Sequence, residues 1–199
     1  MVKLRILLLI FPLLTFCQQK KTEAQLFQEE LVKSYEDKDT SPLDAKEKRE
    51  FKGIHFFPIS EKYMVMAHLE KLENEKPFLM PSTGKKQNWY KKYGKITFVI
   101  DGVTYSLYVY QNQDLLRSPQ HKNHLFLPFN DLTNGNTTYG GGRYIDLSIP
   151  EADTLIVDFN QAYNPYCAYS PRYSCPITPE ENFIDVAILA GVTYTTDEN

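Results

Sequence analysis

The sequence predicts a mainly β protein, an antiparallel sandwich or partly closed barrel preceded by two short N-terminal helices. Three observations carry that expectation. A period of two runs through Tyr63, Val65, Ala67 and Leu69, which alternate with Met64, Met66, His68 and Glu70. The β-rich runs 96–100 and 103–110 are separated only by Asp101-Gly102, a pair that accepts positive φ at both positions and marks a tight hairpin. The later apolar runs are short and joined by turn formers with no helical pattern between them, which implies antiparallel pairing. An aromatic content of 14% fits, since aromatic rings suit pleated, half-buried surfaces.

The chain begins with a leader. Lys3 and Arg5 precede an apolar run ending at Phe16, too short to span a bilayer as a mature helix and suited to a secretory signal. Leu14-Thr15-Phe16-Cys17 reads as a bacterial lipoprotein signal over residues 1–17, with Cys17 lipidated, although Phe16 departs from the small residue expected there. The expected location is the cell envelope, on a periplasmic or outer-membrane face, with the membrane as partner through that anchor. Residues 18–40 are a polar tether and a short helix, 41–192 a single mainly β domain, and 193–199 a tail. The net charge is −3, and losing Lys3 and Arg5 with the leader makes the remainder more acidic, which argues against nucleic acid as a partner.

Phe27, Leu31 and Tyr35 recur at four-residue spacing and give the first helix one apolar stripe. Ser41-Pro42 reads as the start of the second, with Gly53 as its stop. Both helices read as peripheral. Pro77 and Pro81 bracket an edge strand at 78–80, and the hairpin follows. Residues 125–129, 144–149 and 154–159 are further strands, and 185–190 a last one. Two long connections interrupt the series: 130–142, turn formers throughout, and 160–182, rich in proline and carrying Cys167 and Cys175.

The chemistry-bearing residues concentrate in 139–182. Export makes Cys167 and Cys175 an even pair in an oxidising compartment, and a disulfide is the favoured reading. It would close a nine-residue loop and contribute roughly 2.5 kcal/mol. Free thiols, a redox pair and a metal site are the alternatives, and no cofactor or metal is expected. Tyr139-Gly140-Gly141-Gly142-Arg143 is either an anion-binding turn or a plain bulge with Arg143 paired to Asp146 or Asp158. Asp146, Asp158 and Glu181 are the candidate catalytic acids or bases. His121 and His124 sit in what reads as a solvated turn.

Four segments bear a family resemblance: FKGIHFFPI (51–59), YGKITFVIDGVTYSLYVYQNQD (93–114), LFLPFNDLTNG with TYGGGRYIDL (125–147), and DFNQAYNPYCAYSPRYSCPITPEEN (158–182). They resemble the bacterial domain-of-unknown-function family 1684, over roughly residues 42–192. The resemblance implies one compact unit and a lipoprotein of the Bacteroidetes type, and supplies no activity or catalytic roles. The leading functional expectation is a module binding a small ligand or an envelope protein through the two long connections. Tyr139, Arg143 and Asn164 are its expected polar contacts, with Tyr163, Tyr166 and Tyr169 as aromatic walls. An envelope hydrolase and a structural envelope protein are the alternatives.

Overall fold

Seven antiparallel strands share one sheet in the computed structural model, which describes residues 20–194. The strands are β1 (Met64–Lys71), β2 (Phe78–Leu79), β3 (Trp89–Ile100), β4 (Val103–Asn112), β5 (His124–Phe129), β6 (Arg143–Ser148) and β7 (Thr154–Asp158). The order is β6-β5-β4-β3-β1-β7, with β2 added to β3. The sheet curls into a half-barrel. Beyond β7 the chain reaches the far edge at β6, where Tyr144 and Tyr163 exchange backbone hydrogen bonds of 2.9 and 3.0 Å. The partly closed barrel is therefore the alternative realised. Cys17, the expected lipidation site, lies outside the described residues.

The hairpin forms where the sequence places it. Asp101 and Gly102 take φ of 51° and 78°, so both central residues are left-handed as a two-residue turn of matching twist requires. Upstream of Ile96 the sequence pattern stops being readable because β3 carries a bulge between Lys92 and Gly94. One extra residue inverts the side-chain alternation. Ile96, Phe98 and Ile100 enter the main core with Leu107, Val109 and Val157, whereas Tyr90 joins a second cluster with Met80, Tyr110, Phe126 and Tyr144. β5 serves both clusters, through Leu125, Leu127 and Phe129 on one face and Phe126 on the other.

Two helices precede the sheet. Helix α1 (Glu23–Glu36) opens on a capping box formed by Thr22 and Gln25. Helix α2 (Ala45–Glu50) starts three residues later than Ser41-Pro42 suggests, because Asp44 is its N-cap and accepts from the amides of Lys46 and Glu47. The helices are not peripheral: Tyr35 is buried with Leu43, Ile54 and Val192 in a third cluster.

The strand expected at 185–190 does not form. Ile184, Ile188 and Ala190 are buried in the main core, but a side chain takes the place of a strand partner. Arg143 is fully buried; its guanidinium pairs with Asp131 at 2.6 Å and donates to the carbonyls of Ile188, at 2.9 Å, and Ala190. The guanidinium also lies 5.1 Å from the centre of the Phe129 ring. The internal acid that Arg143 meets is thus Asp131, not Asp146 or Asp158. A second buried side chain works in the same way. β4 and β5 are paired through Tyr110 and Phe126. Nearby, Asn182 spans them, accepting from the amide of Tyr108 and donating to the carbonyls of Tyr108 and Pro128, at 2.9, 2.8 and 2.6 Å.

Removing one member of a buried ion pair strands the other charge, so Asp131→Ala and Arg143→Met should each lower unfolding stability by about 3–5 kcal/mol in urea titrations. The double variant Asp131→Leu/Arg143→Met should recover a large part of the loss. Asn182→Ala leaves three buried or part-buried backbone groups without this partner and should cost about 3 kcal/mol, with faster hydrogen exchange at the Tyr108 amide.

Candidate functional site

The connections 130–142 and 160–182 lie side by side. The Tyr139 hydroxyl is 4.0 Å from Cys167 Sγ, the Thr178 hydroxyl donates to the Gly141 carbonyl at 3.5 Å, and Asn130 bridges to Phe183. Gly142, at a φ of 92°, is what lets them approach: a Cβ there would fall 2.6 Å from Thr178 Oγ1 and 2.9 Å from the Phe129 carbonyl oxygen.

Beneath the second connection is a cavity of about 290 Å³. Tyr90 of β3, His124 and Phe126 of β5, and Tyr144 and Asp146 of β6 line its sheet side. Tyr163, Pro165, Tyr166 and the stretch 173–176 line the other. The antiparallel register sets Phe126 opposite Asp146, which places His124 on the diagonal to that carboxylate and on the same face. His124 Nε2 is 2.7 Å from Asp146 Oδ1, and the Tyr163 hydroxyl donates to Asp146 Oδ2 at 2.8 Å. An ionised carboxylate only accepts, so this bond takes a proton on Nε2 and leaves Nδ1 outside it. His124 therefore begins a strand rather than belonging to a solvated turn.

The aromatic wall is built from edge-on and tilted ring contacts. Phe126 meets Tyr144 at 4.7 Å, Tyr144 meets Tyr163 at 5.9 Å, and Tyr166 meets Tyr173 at 5.0 Å. Helix α1 braces this wall: Phe27 lies 6.2 Å from Tyr163, and Tyr35 packs on Tyr166 and Tyr169. Arg172 clamps it further by donating to Glu47 at 2.8 Å and to the Pro42 carbonyl at 2.9 Å. Burial pushes the phenols of Tyr90, Tyr144 and Tyr163 above their ordinary range, and Asp146 adds to the effect at Tyr163. All three stay neutral at physiological pH.

Of the residues expected at a site, Asp146, Tyr163 and Tyr166 converge on this cavity. Arg143 does not, being spent on the buried pair with Asp131, and Asn164 is buried with its amide donating to the Tyr169 hydroxyl at 2.8 Å. Tyr169 borders a separate groove with Phe51, His55 and Tyr194, and Tyr139 packs on Tyr194 at 5.3 Å. Asp158 caps the 3-10 turn Phe159–Gln161, its two oxygens accepting from Asn160 and Gln161. Asp146 and Asp158 both border a second pocket of about 360 Å³, but each carboxylate oxygen there is engaged by a side chain of the protein. Glu181 edges a larger groove of about 720 Å³, paired to Lys92 and accepting from the Tyr110 hydroxyl, both at 2.7 Å. The charge it brings to that groove is already satisfied.

The expected disulfide is not found: Cys167 and Cys175 are free thiols. The segment is held without it. Cys167 lies in a 3-10 turn (Tyr166–Ala168), Thr83 and Cys175 exchange backbone and side-chain hydrogen bonds of 2.9 and 3.0 Å, and Ser82 bridges to Pro176. Among the described residues no group of three or more His, Cys, Asp or Glu is placed to hold a metal ion, and no helix is long and apolar enough to cross a membrane.

One pH dependence follows from Glu181. Burial acts to raise its carboxyl, but Lys92 and the Tyr110 hydroxyl outweigh it and hold the group below its ordinary value of 4.5. A depressed carboxylate stabilises the fold above its unfolded pKa and loses that effect as pH falls through the folded one. The native chain should therefore melt above Glu181→Gln at pH 7, and the gap should close as pH drops below 4.5.

No curated protein matches the chain. The solution NMR structure of an uncharacterized protein of Haloarcula marismortui is similar, at 29% sequence identity and a TM-score of 0.68, covering 87% of this chain and 94% of that one. The family model described as protein of unknown function (DUF1684) matches residues 49–193. That span takes in the sheet, the cavity and both long connections, and the chain belongs to this family.

Proposed function

We propose that the chain is a small-ligand binding module of the cell envelope, tethered through a lipid on Cys17, and that the ligand seats in the cavity under the 163–176 segment. The observation that carries this reading is the composition of that wall. Five Tyr and Phe rings surround one polar centre, Asp146 with His124 and Tyr163. Such a wall suits a ring-shaped ligand, whose faces meet aromatic edges and whose polar atom meets the free Nδ1 of His124. The volume of about 290 Å³ suits a molecule of one or two rings. Binding is favoured over hydrolysis because the candidate carboxylates are already hydrogen-bonded to protein groups: Asp146 to His124 and Tyr163, Asp158 to Asn160 and Gln161, and Glu181 to Lys92 and Tyr110.

The test is a thermal-shift screen of monosaccharides, nucleosides and aromatic acids against the full chain. A ligand present at a hundred times its Kd stabilises by about 2.7 kcal/mol, which moves Tm by roughly 5–10 °C in a chain of this size. The shift should be lost in His124→Ala, and Arg143, away from the cavity, should not change the affinity in variants that remain folded. A hit that stabilises native protein and His124→Ala equally places the ligand elsewhere.

A further inference from the structure

We propose that Cys167 and Cys175 form a dithiol site that exchanges with small-molecule disulfides, with Cys167 as the attacking thiolate and Cys175 as the resolving thiol. The inference is independent of the ligand reading and rests on how differently the two sulfurs are housed. Cys167 is half-buried, whereas Cys175 is 7% exposed and belongs to the lining of the cavity. The Tyr139 hydroxyl lies 4.0 Å from Cys167 Sγ, and the Cys175 thiol and Thr83 hydroxyl are its other polar neighbours. The Thr83 hydroxyl accepts the Cys175 amide at 3.0 Å and donates to the Tyr173 carbonyl at 3.5 Å, which fixes it beside the pair. The Cys167 amide in turn donates to Cys175 Sγ at 3.2 Å, so the two residues are locked together by backbone as well as by sulfur.

This arrangement separates the acidities of the pair. The hydrogen bond from Cys175, with smaller help from Thr83 and Tyr139, outweighs burial and brings the Cys167 thiol down to about 6. Cys175, the donor in that bond and buried, is pushed up. A thiolate stabilised by donors and open to solvent is the attacking species in thiol–disulfide exchange. In the first step Cys167 Sγ attacks one sulfur of R–S–S–R, forming a mixed disulfide and releasing one thiolate. In the second, Cys175 gives its proton to solvent and attacks Cys167 Sγ, closing the intramolecular disulfide and releasing the second thiolate. The protein dithiol is oxidised by two electrons and the small disulfide is reduced to two thiols.

The test uses the full chain carrying Cys17→Ser, so that these two sulfurs alone are scored. Peptide mapping of the reduced protein under limiting iodoacetamide at pH 7 should show Cys167 alkylated about tenfold or more faster than Cys175. Incubation with 2-hydroxyethyl disulfide should then yield a product two hydrogens lighter that retains no hydroxyethylthio group and reopens with excess dithiothreitol. Cys175→Ser should stop at a mixed disulfide on Cys167. Similar alkylation rates at the two sulfurs, a first adduct on Cys175, or a mixed disulfide that persists in the protein with both thiols would each overturn the proposal. So would a bond that resists dithiothreitol in the folded chain, since that is a static cross-link. The alkylation and exchange arms need no substitution at either thiol and hold even if Cys175→Ser fails to fold.

Discussion

The ion pair between Arg143 and Asp131 is the interaction on which the architecture depends. Both side chains are fully buried, where a lone charge would cost several kcal/mol. Mutual neutralisation and the carbonyls of Ile188 and Ala190 offset that cost. Those same carbonyls explain how 184–192 can lie in the core without being a strand. Arg143 stands at the start of β6, so one side chain joins the edge of the sheet, the long connection before it and the C-terminal segment.

Two further contacts complete the frame. Asn182 supplies amide groups between β4 and β5, close to where their ladder is reduced to the Tyr110–Phe126 pair. Tyr144 and Tyr163 close the half-barrel by a single backbone bridge. Each of these residues is polar or amphipathic and reaches a different part of the chain. The walls of the cavity are consequently fixed by hydrogen bonds around its edge as well as by apolar packing. The thiol pair sits on the same segment, so chemistry at Cys167 takes place beside the cavity, with Cys175 in its lining.

How much of this was legible before the fold was in view varies by element. The hairpin, β1, β5, β6, β7 and the stripe on α1 could be read directly, because alternation and turn chemistry act between near neighbours. The early half of β3 could not, since the bulge at Lys92 reverses the alternation. The last apolar run looked like a strand because buried residues recur in it, yet Arg143 holds two of its carbonyls. At the site, Asp146, Tyr163 and Tyr166 stand out from composition, while His124 gives no such signal because its partner lies one strand away. Asn182 had no local signal at all.

By itself the sequence determined the class of fold, most strand positions and the stretch where the chemistry concentrates. These follow from side-chain periodicity and backbone preference, which neighbouring residues specify among themselves. The tertiary structure alone decided which acid meets Arg143, which histidine meets Asp146, and that the two cysteines stand as unlike thiols rather than a bond. Those outcomes depend on distances between segments far apart along the chain. They are set by where the curled sheet brings its edges, which residue type and spacing do not encode.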